Sequence, residues 1–551
     1  MDVNECIVKN LEHIGVDHMF GGSGQVNGSM LLALEQSKQI KTVIVKNEQG
    51  ASFMACGYAM FNPSNMGVCF ATGGPGAFNL FSGMAVAYSD SLPVLAITGY
   101  TTKGQRGKGA LNESSGLSRT PDSHLMFGAT TKKSFIIEHP DQTCDILEEA
   151  VNLAFAGRAG PVHIHIPKDI TVAKVTNFRE IKLDIKPVPP NQQKMADMVE
   201  ILATALEKKE PVLALLGYGI IRSQAEKDAL AFVEKFQIPF VTTMDAKGIL
   251  PEDHPLSLGV YGTSGDPGAK KAFQDAKVVL AIGNSFAQNA TYAFKPDLYA
   301  GKSLLHINID KHEIDKVYEA RVGLMSDARP AILGIHAELA KRVKNIETRK
   351  IGKEFFYDTP VKAPGAKIHP ADLVKAMSRN LPDNAIVLGD AGSNMLWLNC
   401  YLHLTKNQRY QNPGSFGPMA SHVNAAIGIK AANPDKVVVA GVGDGDYLMA
   451  GFELLTAVEY NLPVVWVIFN NGEFNVIKKF LIEAFGRHAF MKFKNPDFSM
   501  YAKACGAEGY RVDKLADFEP IFTKAIAANK PVLIDVAIES EVYPPFEMGR
   551  V

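Results

Sequence analysis

The stretch from Val437 to Asn471 constrains this chain more than any other. Val437-Val438-Val439-Ala440 is a short uninterrupted apolar run, as a parallel strand covered on both faces reads, and it empties into the turn Gly441-Val442-Gly443-Asp444-Gly445-Asp446. Leu448, Phe452, Leu455 and Val458 then recur at helical spacing, Asn461-Leu462-Pro463 breaks the helix, and Val464 to Phe469 makes a second apolar strand ending in Asn470-Asn471. This is a βαβ unit. Its two strands run the same way, so their carboxyl ends bring Asp444 and Asn471 to one sheet edge, where open α/β sheets bind ligands. One carboxylate and one amide oxygen, on loops whose glycines let backbone come close, suit an octahedral hard cation that keeps other positions for phosphate oxygens. Taken singly, GDG reads as an ordinary turn and NN as a cap; together, each behind a strand, they carry weight.

The same alternation of strand and helix recurs along the chain. Strands are expected at Thr42 to Val45, Gly67 to Ala71, Pro93 to Thr98 and Val162 to Ile166, and again at Pro211 to Gly219, Pro239 to Asp245, Val278 to Gly283 and Ser303 to Asp310. At 551 residues the chain is too long for one core. Pro187 to Pro190 and the Lys-, Gly- and Pro-containing stretch Lys341 to Lys367 read as linkers. They divide it into 1–170, 190–340 and 368–551, and the expected class is α/β, with three doubly wound parallel-sheet domains. A net charge of −1 with 46% hydrophobic residues argues against disorder and against a nucleic-acid partner, leaving small molecules. The six scattered cysteines form no CxxC pair or His/Cys cluster, which fits a reduced, cytoplasmic compartment. The amphipathic start lacks the basic and apolar regions of a signal peptide, and no apolar run approaches the roughly 20 residues a membrane span needs.

Glu48 stands between a strand and an apolar helix, where a carboxylate is ordinarily a cap or a surface group. Its setting is more specific. FGG at 20–22, NEQGASFMACGYA at 47–59, ATGGPGAFNL at 71–80 and GPVHIHIPKD at 160–169 resemble, in sequence and spacing, the pyrimidine-binding domain of the thiamine diphosphate (ThDP) enzymes of the acetolactate synthase, pyruvate oxidase and benzaldehyde lyase group. GDG followed by NN resembles that group's diphosphate site, and AKGILPEDHPLSLG at 246–259 its central domain. The resemblance covers nearly the whole chain and implies the order pyrimidine-binding, central, diphosphate-binding. It implies that Glu48 hydrogen-bonds a ring nitrogen of the aminopyrimidine and so promotes loss of the thiazolium proton. It further implies that Asp444, Asn471 and the backbone carbonyl of Glu473 hold Mg²⁺, with Gly443, Gly445 and Asp446 beside them and Ser393 and Asn394 near the diphosphate. Met419, in the stretch with Gly417, aligns with the bulky apolar residue beneath the bend of the cofactor. FAD, which some relatives bind centrally, is doubtful, because Gly283 to Asn289 carries no Arg. A homodimer or homotetramer is implied, with Glu48 of one chain facing the Asp444/Asn471 site of another.

The residues expected to choose the reaction depart from the pyruvate decarboxylases. That group has an Asp where Gln25 stands, a His pair near Leu111 to Glu113 and a Glu matching Ile477, so the proton relay that releases an aldehyde is missing. Carboligation is the expected outcome: a 2-oxo acid or acyloin donor is joined to an aldehyde or 2-oxo acid acceptor, with Gln25 and Asn112 as neutral hydrogen-bonding groups. The same two residues read equally as loop amides bonding their own backbone. A simple 2-oxo acid decarboxylase, a pyruvate-oxidase-like enzyme and a non-catalytic ThDP-binding subunit are the alternatives. Arg487 to Lys494 and the tail Glu541 to Val551 are expected to fold over the site.

Overall fold

The computed structural model describes residues 1–344, 346–348, 351–362, 365–405 and 407–547. Continuous β-branched runs flanked by helices build three six-stranded sheets, and every strand pair recorded in them is parallel. The first contains β1 (His18–Gly21), β2 (Lys41–Ile44), β3 (Gly67–Ala71), β4 (Val94–Tyr100), β5 (Ser134–Ile136) and β6 (Val162–Pro167). In the second lie β7 (Val212–Leu216), β8 (Phe240–Thr242), β9 (Ser257–Val260), β10 (Val278–Ile282), β11 (Ser303–Asn308) and β12 (Val322–Met325). The third holds β13 (Ala385–Gly389), β14 (Arg409–Gln411), β15 (Val437–Gly443), β16 (Val464–Asn470), β17 (Glu508–Val512) and β18 (Val532–Ala537). The expected class, α/β with three parallel doubly wound sheets, is what the chain forms.

The first and third sheets share one strand order. They run β2-β1-β3-β4-β6-β5 and β14-β13-β15-β16-β18-β17, whereas the middle sheet runs β12-β11-β10-β7-β8-β9. In each outer sheet the order reverses beside the first strand, between β1 and β3 and between β13 and β15, and such a reversal opens a crevice at the carboxyl ends. Both motif clusters fall there.

The two outer sheets are joined by their helices. Glu48–Met60 follows β2, Ser421–Ala432 follows β14, and the two pack face to face inside one apolar cluster shared by both sheets. Their contact is backbone on backbone: a Cβ at Gly57 would overlap the Ala425 carbonyl, and one at Gly428 would overlap that of Met54.

One expectation fails locally. The apolar repeat after GDG is not one continuous helix but Asp444–Ala450, a 3-10 turn at Gly451–Glu453, and Leu454–Glu459. Leu448, Met449, Phe452 and Leu455 are exposed, Phe452 by 65%. Among the described residues nothing covers this apolar face. No helix among the described residues is long and apolar enough to cross a membrane.

Candidate active site

At the β13/β15 crevice three carboxylates are buried together. Asp390 follows β13, Asp444 and Asp446 follow β15, and they are 0%, 2% and 1% exposed. None has an ion-pair partner among the described residues. Asp390 caps the helix Ser421–Ala432, accepting from the backbone N–H groups of His422 and Val423 at 2.9 Å each. Burial pushes its carboxyl up to about 6. Asp446 accepts from Gly443 N–H at 2.8 Å through Oδ2, while its Oδ1 is buried without a partner. Burial, then the nearby charges of Asp390 and Asp444, hold Asp446 well above the usual carboxylate range.

Asp444 is held asymmetrically. Its Oδ2 accepts from Asn471 N–H at 3.1 Å, Gly472 N–H at 2.7 Å and the Asn495 amide at 2.7 Å, whereas Oδ1 accepts only from the adjacent Gly445 N–H at 2.9 Å. Burial raises its carboxyl against the pull of those donors. Asn471 Oδ1 accepts from Glu473 N–H at 3.2 Å, and the Glu473 carbonyl from Asn475 N–H at 3.0 Å. The Glu473 side chain is turned away, its carboxylate paired with Lys478 at 3.0 and 3.2 Å. Excess buried negative charge, an Asp446 oxygen without a donor and an under-used Asp444 Oδ1 beside an amide oxygen fit a divalent hard cation. One carboxylate, one amide and one carbonyl are not a His/Cys/Asp/Glu cluster, and among the described residues no such metal-type cluster occurs.

Around this centre the other expected residues fall as follows. Met419 lies against the GDG loop: a Cβ at Gly445 would come 3.3 Å from Met419 Cε. Gly417 takes φ +53°, and Ala420, one residue after Met419, takes φ +71°, so the backbone entering the helix Ser421–Ala432 is left-handed at both points. Asn394 commits its amide N–H groups to the carbonyls of Asp390 and Gly441 at 2.9 and 3.1 Å, leaving its Oδ1 beside Gly392. Ser393 opens its helix and donates to Asn475 Oδ1 at 3.2 Å. His422, buried and held neutral near 3 by desolvation, leaves Nε2 without a partner.

At the β1/β3 crevice, Glu48 is the first residue of the helix Glu48–Met60, whose N-cap Asn47 accepts from Gln49 N–H at 2.9 Å. Its Oε2 accepts from the Asn79 amide at 2.9 Å, and Oε1 lies where a Cβ on Gly22 or Gly76 would come within 2.9 Å. A side chain on either wall would have to displace that carboxylate. Gln25 and Asn112 approach the same loop: a Cβ at Gly24 would press on Thr72, and one at Gly74 would meet the Asn112 carbonyl at 2.8 Å. Gln25 is exposed, Asn112 half-buried at φ +59°, and neither side chain makes a hydrogen bond among the described residues. Glu113 gathers the Asn112 loop by accepting from Gly107, Gly109 and Ala110 N–H groups and the Ser115 hydroxyl.

Within one chain no hydrogen bond among the described residues joins Glu48 itself to Asp444 or Asn471. The segment Arg487 to Lys494 does lie against the Asp444 cluster. Phe493 N–H donates to the Gly472 carbonyl and Phe474 N–H to that of Met491, both at 3.0 Å, and Asn495 beyond them reaches Asp444. Of the tail, residues 548–551 lie outside the described residues. Glu541 pairs with Lys478, Phe546 packs beside Val476, and Glu547 pairs with Lys270 at 2.5 Å, tying the helix Asn475–Phe485 to the middle unit. Asn495 and Lys478 were not foreseen; each is a single polar residue in a stretch without a motif. Separately, a cavity of about 1610 Å³ opens at the carboxyl ends of β7, β10 and β11, lined by Gly217, Gly283, Asn284, Asp245, Asp310 and Arg158.

Comparison with known proteins bears on all three sheets. Residues 1–118 match the family "Thiamine pyrophosphate enzyme, N-terminal TPP binding domain", 199–335 its central domain and 390–536 its C-terminal TPP binding domain. The chain is similar to the acetolactate synthase large subunit of Corynebacterium glutamicum, 32% identical over 570 residues that cover 99% of this chain and 88% of that protein. It is also similar to the probable acetolactate synthase large subunit of Methanocaldococcus jannaschii, 30% identical with 99% and 93% covered. The acetolactate synthase large subunit of Lactococcus lactis is 29% identical with 97% and 92% covered.

Proposed function

This chain belongs to the thiamine pyrophosphate enzymes, and on that footing we propose that it is a ThDP- and Mg²⁺-dependent carboligase of the acetolactate synthase kind. In this reading it joins a 2-oxo acid or acyloin donor to an aldehyde or 2-oxo acid acceptor. The observation that carries it is the pair of half sites: a glycine-walled carboxylate at one strand reversal and a carboxylate-rich cradle at the other. Bound ThDP supplies a carbon nucleophile that takes up the donor's acyl carbon and passes it to a second carbonyl.

The chain's own residues then have these roles. Glu48 holds a proton at the aminopyrimidine ring nitrogen. Asp444 Oδ1, Asn471 Oδ1 and the Glu473 carbonyl would hold the cation, with Ser393, Asn394, Gly443, Gly445 and Asp446 near the diphosphate. Met419, against the GDG loop, would pack against the bound cofactor. Gln25 and Asn112, whose amides have no partner among the described residues, donate to the acceptor carbonyl. Val476 and Ile477 offer no proton where a decarboxylase presents an acid. Because no hydrogen bond among the described residues joins Glu48 itself to Asp444 or Asn471 within a chain, and Leu448, Phe452 and Leu455 lie bare beside Asp444, we place the working site between two copies. All six cysteines are free thiols, which supports a reducing, cytoplasmic setting.

Proton NMR of the purified protein with ThDP, Mg²⁺ and pyruvate, with and without an added aldehyde, tests this. Acetolactate or a mixed acyloin should accumulate and should vanish in Glu48→Gln. Aldehyde as the only product would instead make it a decarboxylase, and untouched substrates over a range of 2-oxo acids and acyloins would end the carboligase reading.

A further inference from the structure

Glu453 is buried, 2% exposed, and its carboxylate does not serve the sheet it belongs to. It sits in the 3-10 turn after the helix Asp444–Ala450, in the third unit, and reaches across to the first. There Oε1 accepts from Lys46 N–H at 3.0 Å and Asn47 N–H at 2.9 Å, and Oε2 lies 3.2 Å from Lys46 N–H. The Thr456 hydroxyl fixes the carboxylate from its own side by donating to Oε2 at 2.5 Å. The next residue after Asn47 is Glu48.

The corner between β2 and the helix Glu48–Met60 is thus pinned at each backbone N–H around Glu48. Lys46 and Asn47 are held by Glu453, and Gln49 by the Asn47 side chain. A side chain's direction follows the backbone dihedrals at its root, so fixing this corner fixes where the Glu48 carboxylate points. Gly50 has a reason of its own to be glycine: a Cβ there would come 2.8 Å from Glu453 Oε1, so the carboxylate lies directly over the first turn of the helix. The packed partner helix is built alike, with Asp390 over its first turn. A carboxylate at a helix N-terminus is favourable in itself, but a local Asp or Ser would do that. Reaching it from another unit makes the geometry at Glu48 depend on the segment that begins at Asp444.

We infer that Glu453 is a positioning residue for Glu48, resting on the reading of Glu48 given above: its carboxylate holds the Lys46–Asn47 corner so that Glu48 meets the cofactor's ring nitrogen. Lys46 and Asn47 are exposed, so water can replace the lost acceptor when Glu453 is removed. The chain then keeps its fold while the corner loosens. A displacement of about an ångström at a catalytic group costs on the order of 100-fold. Loss of Glu453 should therefore slow the step that Glu48 assists by roughly 10- to 100-fold while leaving the cofactor bound.

The test uses the full chain with ThDP and Mg²⁺ and compares wild type, Glu48→Gln, Glu453→Ala and Gly50→Ala. Exchange of the thiazolium C2 proton with deuterium is read by NMR after acid quench, cofactor affinity by calorimetry, and amide exchange of the peptide spanning Lys46 and Asn47 by mass spectrometry without cofactor. Gly50→Ala guards against a misfolded Glu453→Ala, because alanine favours a helix while its Cβ displaces the Glu453 carboxylate. Both variants should bind ThDP as wild type does, exchange the C2 proton more slowly, and expose the 46–47 amides faster. If Glu48→Gln slows C2 exchange but neither Glu453→Ala nor Gly50→Ala does, Glu453 is only a clamp between units and the inference fails alone. If Glu48→Gln leaves C2 exchange unchanged, the reading of Glu48 fails and takes the inference with it. Unchanged amide protection at 46–47 would equally overturn it.

Discussion

Lys478→Met should destabilise the third unit strongly at neutral pH and weakly in mild acid. The ammonium lies 3.0 and 3.2 Å from the two oxygens of Glu473, and the pair is buried, with side chains 5% and 1% exposed. Burial alone would lower the Lys478 value, but the hydrogen bonds it donates to Glu541 and Glu473 carry it above the ordinary range and keep it charged. At such a separation and an effective dielectric constant of about 20 the attraction is about 5 kcal/mol. The whole of it does not appear on removing Lys478, because the stranded carboxylate takes a proton once that is the less unfavourable course. The loss is capped by the cost of protonating an ordinary Glu carboxyl, about 4 kcal/mol at pH 7 and about 1 kcal/mol at pH 5. Glu541, 67% exposed, swings into water and adds little. Both tryptophans, Trp397 and Trp466, are buried in the third unit, so urea unfolding followed by their fluorescence reports on this region. The variant should lose about 3–4 kcal/mol at pH 7, most of it returning at pH 5. Glu473→Gln/Lys478→Met should recover all but about 1 kcal/mol at pH 7, since no unpaired charge is left behind. A loss under about 1 kcal/mol at pH 7, or one equal at both pH values, would refute the argument.

The remaining expectations are briefer. His163 is kept neutral in the fold by burial and by His165 and His124, well below 6.5, whereas an unfolded histidine takes a proton below that value. It therefore drains stability as the pH falls through 6.5, and the advantage of wild type over His163→Asn should shrink by about 2 kcal/mol between pH 7 and 5 in thermal unfolding followed by circular dichroism. Gly428→Ala forces the packed helices apart at the Met54 carbonyl and should cost about 3 kcal/mol or more; a loss under about 1 kcal/mol would mean the contact yields. Met419→Ala should retain ThDP and Mg²⁺ while slowing turnover roughly 10- to 100-fold, and an equal fall in cofactor affinity would make Met419 a binding group instead.

What the sequence made legible follows from how locally each feature is determined. Val437–Gly443 and Val464–Asn470 are central strands covered on both faces, so each is a continuous apolar run, and their parallel register puts Asp444 and Asn471 on one edge, as read. Edge strands such as β14 and β17 pack on fewer sides, are short, and carry Arg409, Gln411, Glu508 and Arg511, so no run announced them. Glu48 stood out only through the resemblance to the ThDP enzymes, since a carboxylate that opens a helix is by itself an ordinary cap. The bonds that fix it and its counterpart were not legible: Asn495 reaches Asp444 from 51 positions away, and Glu453 reaches Lys46 from 407. Nothing local in either stretch distinguishes such a residue from a solvated loop amide or a helix-surface acid.

The apolar repeat at Leu448, Phe452 and Leu455 keeps helical spacing in the sequence, yet the chain breaks it with a 3-10 turn and leaves its apolar side exposed. Those residues follow Asp444 directly, and the segment that carries them ends on Glu453. One face of the segment is bare, the other holds the corner before Glu48, and its first residue is the carboxylate at the strand reversal. If a second copy of the chain covers the bare face, the segment touches everything the proposed chemistry needs: the cation cradle, the cap over Glu48, and the neighbour that completes the site. That economy accounts for an apolar stripe left in water beside three buried carboxylates, which the energetics of one isolated chain do not favour.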